Sequence, residues 1–329
     1  MKTTVVPIIA ILVLVVLILA LGTLIAGAIA KSILARKYPA PGQLVDVGGF
    51  KMHINCTGQG SPTVVLAAGT ADFSTTWVYV QPEVAKLTRV CAYDRAGLGW
   101  SEPSPLPRTA GTTVEELHAL LVNAKIPGPY VLVGHSLGGL HMRLYAHNYP
   151  DEVVGLILVD SLHEDQFILD PGSEKANQAN ARQFRPLALL NATGLMALAP
   201  QSIPNLGLPA DTYAQWQACL ATSSYFETTI AELNGMDEGS AEVRDLKITS
   251  FGSTPLTVLS AGHEDTVASL SAAENQKYEE VWQGLQPKLA ALSSAGKQII
   301  AEQSGHMVQF EQPELVIDAI REMVAALRK

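Results

Sequence analysis

The chain has 329 residues, 48% hydrophobic and 16% charged, with 22 basic against 31 acidic side chains and a formal charge of −9. That length is ample for a buried core, and that composition excludes a disordered or fibrous chain. The acidic balance, with no Lys/Arg cluster after Lys37, argues against a nucleic-acid partner. Cys56, Cys91 and Cys219 are too few for a disulfide scaffold, and none sits in a C-x-x-C or Cys/His spacing, so structural zinc is disfavoured.

In chain order, the first element is the plainest. Residues 3–30 carry no charge and are nearly all Ile, Leu, Val and Ala. A membrane-crossing helix needs about 20 apolar residues, whereas the apolar region of a signal peptide runs to about 7–15. Length therefore predicts a single-pass N-terminal anchor within residues 1–37. Ala28-Ile29-Ala30 has the small-x-small form of a cleavage site, which keeps a removable leader as the competing reading. Lys31, Arg36 and Lys37 on the body side outnumber Lys2, a slight lean toward a cytoplasmic body. Tyr38-Pro39-Ala40-Pro41-Gly42 reads as a short stiff linker.

Beyond the linker, β-branched runs predict strands at 44–47, 51–56, 63–67, 89–93, 130–133, 154–159, 255–260 and 297–301. Helical periodicity appears at 113–124 and 140–148. The stretch 313–327 begins with Pro and keeps Val316, Ile317, Ile320 and Val324 on one face. Such alternation predicts an α/β fold, a mostly parallel eight-stranded sheet with helices on both faces. Residues 162–253 break the rhythm, with helical fragments between Pro-, Gly- and Asn-rich turns and no strand pattern. They read as a helical cap inserted after the sixth strand, dividing the core into residues 38–161 and 254–329.

The run Tyr130-Val-Leu-Val-Gly-His-Ser-Leu-Gly-Gly139 holds a G-x-S-x-G between a predicted strand and a predicted helix. The chemistry explains the glycines: a serine on a sharp strand-to-helix turn needs Gly134 and Gly138 for close packing. Ser136 is then raised over the sheet edge, with free helix N-terminal N–H groups where negative charge develops.

GHSLGG after an apolar strand, preceded by AYDRAGLGWSEP (92–103) and followed by LILVDS (156–161), resembles the α/β-hydrolase superfamily, closest to capped bacterial members of the esterase/lipase-like type. The resemblance covers about residues 43 to 327 apart from the cap. It implies a triad in the order nucleophile, acid, histidine. His306, in QSGHMVQFEQP, matches the family's histidine loop and is the expected base. Asp265, in SAGHED after a predicted strand, matches the commoner acid position. Asp160, at the end of GLILVD, is the alternative acid, with a cap-hinge role as its bland reading. The oxyanion hole is expected from the N–H groups of Leu137 and Thr70. The family's usual His-Gly before that second donor is here Ala68-Gly69, which leaves its support unexplained.

DRAGLGWS (94–101) lacks G-K-[ST] and G-x-G-x-x-G, so it is not a phosphate cradle; Asp94 and Arg95 are expected to brace a turn beside the active-site loops. Cys56 and Cys91 fall on strands that neighbour each other in this fold. Free buried thiols are the commoner state, and a disulfide requires an oxidising compartment.

The expected activity is ester hydrolysis through an acyl-enzyme, with no metal or organic cofactor, on a small-molecule ester of apolar or lipid-like character. The same triad serves thioesterases, lactonases, amidases and C–C hydrolases, and some relatives bind ligands with little turnover. A serine elbow argues against dehalogenase and epoxide hydrolase chemistry, whose family members use Asp there. The cap's Phe184, Met196, Tyr213, Trp216, Tyr225 and Phe226 suit an apolar substrate or, equally, plain packing of cap onto core.

Overall fold

Eight strands lie in one sheet: β1 Gln43–Asp46, β2 Lys51–Thr57, β3 Thr63–Ala67, β4 Val90–Tyr93, β5 Tyr130–His135, β6 Val153–Val159, β7 Leu256–Ala261 and β8 Gly296–Ala301. The computed structural model describes residues 5–203, 205, 207–263 and 266–329. All eight predicted strands are present, with ends shifted by a residue or two. Their order is β1-β2-β4-β3-β5-β6-β7-β8. β2 runs antiparallel to β1 and β4, and every other pair is parallel.

The helices are α1 Val5–Lys37, α2 Gln81–Val84, α3 Ala110–Asn123, α4 Leu137–Asn148, α5 Gln166–Leu169, α6 Pro171–Ala192, α7 Leu195–Leu198, α8 Ala210–Thr222, α9 Tyr225–Asp245, α10 Ala272–Ala290, α11 Val308–Glu311 and α12 Pro313–Leu327. Local chemistry sets several starts. Thr109 accepts a hydrogen bond from Thr112 N–H to open α3, and Ser271 with Glu274 forms a reciprocal capping box on α10.

Strand alternation explains the two cores. Val65, Ala67, Leu132, Leu156 and Leu158 point to one side, where α3, α4 and α10 bring Leu117, Leu140 and Trp282. Val64, Leu66, Val131, Val133 and Ile157 point to the other, against Val316, Ile317 and Ile320 of α12. A side chain fully buried in this way contributes about 1.5–3 kcal/mol, so the apolar stripe of α12 alone is enough to pin it.

Between β6 and β7 the described chain is helical, α5 to α9, and forms the cap. Phe184, Met196, Trp216, Tyr225 and Phe226 gather there around Phe73 and Leu98 of the core loops. These aromatics pack cap onto core, and Trp216 also faces a cavity. Gly97 (φ 85) belongs to the same contact: a Cβ there would lie 2.0 Å from Thr228 Oγ1 of α9. Cys56 and Cys91 are directly opposed across β2 and β4 and are joined as a disulfide, where free thiols were the commoner expectation. Cys219 is buried and free.

Candidate active site

Ser136 stands between β5 and α4 with φ 52 and ψ −122, a conformation that side-chain-bearing residues rarely adopt. The glycines around it are steric necessities. A Cβ on Gly134 would meet Gly138 O at 2.5 Å, and one on Gly138 would meet Ala67 O at 2.6 Å. The turn closes because both lack one. Ser136 and His306 line one cavity of about 270 Å³, with Thr70, Leu162, Trp282 and Met307 also in its wall.

The His306 Nδ1–H donates to Asp160 Oδ2 at 2.6 Å. Asp160 is almost wholly buried at the end of β6, with φ 38, and its carboxylate is held from two further directions. Ala261 N–H donates to Oδ1 (3.0 Å), and Trp282 Nε1–H of α10 donates to Oδ2 (3.0 Å). The Trp282 ring also stands edge-on to the imidazole, with centroids 5.4 Å apart. Asp265, the acid favoured by the sequence, lies outside the described residues. Asp160, the alternative, is the carboxylate that the described chain brings onto His306.

His135, next to Ser136, contacts the loop that carries His306. Its Nε2–H donates to the His306 carbonyl (2.9 Å), which fixes its tautomer because a carbonyl only accepts. Burial, and then the neighbouring His306, pull its pKa well below the ordinary histidine value, so it is neutral. Its bare Nδ1 faces Gly69, where a Cβ would fall 2.7 Å away. The glycine of Ala68-Gly69 is thus required by His135.

The loop after β3 is supported by an arginine. Arg95 donates from Nη1 to Ala68 O (2.5 Å) and from Nη2 to Gly69 O (2.7 Å). Its Nε and Nη2 also donate to the two carboxylate oxygens of Glu232 on α9, at 2.6 and 2.9 Å. Glu232 Oε2 in turn accepts from Ala71 N–H (3.1 Å), and Ala71 has φ 63. A buried guanidinium and a cap carboxylate together hold the loop at Ala68-Gly69, where the resemblance implied His-Gly. Neither Thr70 N–H nor Leu137 N–H finds an acceptor among the described residues. Asp94 braces the adjoining turn by accepting from Ser74 N–H, Trp100 N–H and His53 Nδ1–H.

Asp72 sits where this loop turns outward. It lines the serine's cavity and also a second one of about 510 Å³, bounded by Tyr79, Leu208, Trp216 and Phe310. Met307 lies in both walls. Burial pushes the Asp72 carboxyl up to about 6, against the pull of Arg95 and His306. Sequence reasoning did not single out Asp72, Glu232 or Trp282, and it gave His135 no role. Among the described residues no group of three or more His, Cys, Asp or Glu side chains is placed to hold a metal ion.

Residues 64–319 match the family described as alpha/beta hydrolase. The chain belongs to that family. This alpha/beta hydrolase overlays on an epoxide hydrolase, CorEH, with a TM-score of 0.65 at 19% identity, covering 87% of this chain and 99% of that one. It overlays on a thermophilic esterase from Thermogutta terrifontis with a TM-score of 0.59 at 21% identity, covering 87% and 99%. An uncharacterized vacuolar membrane protein of Saccharomyces cerevisiae is 32% identical to it over 148 residues, 37% of this chain. The chain spans 23% of that relative's length.

Proposed function

We propose that this alpha/beta hydrolase is a membrane-tethered serine esterase acting on apolar, lipid-like carboxylic esters. The observation that carries the reading is Ser136, held at φ 52 on the elbow, sharing a cavity with a His306 whose Nδ1 is engaged by buried Asp160. Neutral His306 takes the Ser136 proton as Oγ attacks the ester carbonyl, and Asp160 stabilises the imidazolium that forms. The N–H groups of Leu137 and Thr70 receive the developing oxyanion. His306 then protonates the leaving alkoxide, and water activated by the same imidazole releases the acid from Ser136.

The chain's own residues favour ester over epoxide chemistry, because the elbow carries a hydroxyl and no carboxylate. The apolar walls of the two cavities support an apolar substrate. α1 spans 33 residues with exposed Ile, Leu and Val along its length, and among the described helices it is the one long and apolar enough to cross a bilayer. It supports membrane association, proposed here as a single pass.

The test is a chain-length series of p-nitrophenyl esters on the detergent-solubilised full chain, with Ser136→Ala as control. Turnover that disappears in the variant is expected; equal turnover in both would remove Ser136 from the mechanism.

A further inference from the structure

α1 does not simply leave the body through a free linker. Near its C-terminal end it packs on the cap, against α7 and α8. The contact is backbone to backbone: a Cβ on Gly27 would lie 2.8 Å from the Gly194 carbonyl carbon, and one on Gly194 would lie 2.7 Å from that of Gly27. Both glycines are buried. The cap corner between α6 and α7 is therefore fixed at a known height on the helix.

That height is informative. The first charge after the apolar stretch is Lys31, four positions beyond Gly27. At about 1.5 Å per residue, Gly27 lies about 6 Å inside the boundary that Lys31 marks. The cap corner is thus level with the outer edge of the apolar part of α1. Its composition fits that level: residues 186–210, from the end of α6 to the start of α8, contain no charged side chain. Leu189 is 67% exposed, Leu190 41% and Leu198 45%, although they sit beside a packed contact. Exposed leucines in an uncharged segment are costly in water and favourable in the outer part of a bilayer.

We infer that the α6–α7 corner of the cap rests in the interfacial layer of the bilayer that α1 enters, with Leu189, Leu190 and Leu198 immersed beside the anchor. The occupant of this apolar surface is lipid, because the corner is continuous with a helix whose neighbouring turns are themselves apolar and exposed. Lys31, Arg36 and Lys37, on the body side, lie at the level of the headgroups. The inference rests on reading α1 as a membrane segment. It also gives the larger cavity a setting, since Gly207 and Leu208 in its wall belong to the same uncharged segment.

The experiment uses the full chain in phosphatidylcholine/phosphatidylglycerol vesicles, with Cys219→Ala and single fluorescently labelled cysteines replacing Leu17, Leu198 or Asp151. Quenching is measured with lipids spin-labelled near the headgroup end of the chain and at its centre. The label at 198 is expected to lose fluorescence to the shallow quencher, that at 17 to the deep one, and that at 151 to neither. Gly27→Leu, which drives a side chain into Gly194, should reduce quenching at 198 and leave 17 unchanged. If 17 is quenched and 198 behaves like 151, the cap stands clear of the bilayer and the inference fails alone. If 17 is unquenched as well, the membrane reading of α1 fails with it.

Discussion

Replacing Asp160 by Asn tests the site where it is most constrained. The carboxylate accepts three hydrogen bonds, from His306 Nδ1, Trp282 Nε1 and Ala261 N–H. An Asn amide has one oxygen for these three donors. With its NH₂ at the Oδ2 position, two donors face a donor; flipped, the NH₂ opposes the Ala261 N–H. The first orientation drops to one conflict, like the flipped one, when His306 takes the tautomer protonated on Nε2 and its Nδ1 accepts from the amide NH₂. That tautomer cannot accept the Ser136 proton. In triads where this exchange leaves geometry intact, kcat falls by about 10⁴, or about 5–6 kcal/mol in the barrier.

The assay is steady-state ester turnover by the full chain, with thermal melting to show that the fold persists. The loss should fall on kcat with KM little changed, because the imidazolium forms after binding. Ser136→Ala with Asp160→Asn should be no slower than Ser136→Ala alone, since triad members act as a unit. Asp265→Asn is the comparison. If Asp160→Asn retains activity within about tenfold of the parent while Asp265→Asn loses about 10³ or more, the acid belongs to the loop after β7 and Asp160 is a buried brace.

Three further outcomes are expected. Arg95→Met or Glu232→Gln should lower kcat by about 10²–10³ through misplacement of the Thr70 N–H, and Glu232→Ala should also destabilise by about 3–5 kcal/mol by leaving Arg95 buried without its partner; unchanged kcat in folded variants would separate the network from the hole. For Asp72 the folded pKa of about 6 lies above the usual carboxylate value, so the native state holds the proton longer and stability falls as pH rises from about 4 to 6. Asp72→Asn should therefore match the parent below about pH 4 and exceed it above pH 6, by at most about 3 kcal/mol; a melting difference that is the same at all pH values would contradict the assignment. Alkylation of the unfolded, unreduced chain should modify Cys219 alone, with Cys56 and Cys91 reacting only after reduction. That result would place the body on the oxidising side of the membrane, opposite to the slight lean of its flanking charges.

The parts legible in the sequence are those written in contiguous residues. The elbow needs Gly134, Ser136 and Gly138 within one turn, and the His306 loop precedes a Pro-started helix, so both announce themselves locally. The acid does not. Asp160 and Asp265 both follow strands, and which one meets the imidazole depends on how β6, β7 and the histidine loop are spaced across the sheet. Trp282 reaches Asp160 from 122 residues away, and Glu232 reaches Arg95 across 137. No local pattern distinguishes either from an ordinary helical residue. The disulfide was hidden for a similar reason: adjacent strands were foreseeable, but the exact register opposing Cys56 to Cys91 was not.

At Ala68-Gly69, where the resemblance implied His-Gly, the loop after β3 is held by Arg95 and a carboxylate of the cap. Gly69 must stay small because His135 lies against it, and the loop carbonyls at 68 and 69 need donors. Arg95 supplies them from the core, but a guanidinium buried beside Asp72 requires a counter-charge and acceptors for its remaining N–H groups. Glu232 provides both, and it belongs to the cap. The same carboxylate fixes Ala71 N–H, one residue from the expected Thr70 donor. A cap seated on the core therefore completes the support of the loop after β3, and a displaced cap would withdraw Glu232 and leave Arg95 pulling on two carbonyls with its charge unpaired. On the proposed mechanism the cap is therefore a support of the site as well as the roof over it.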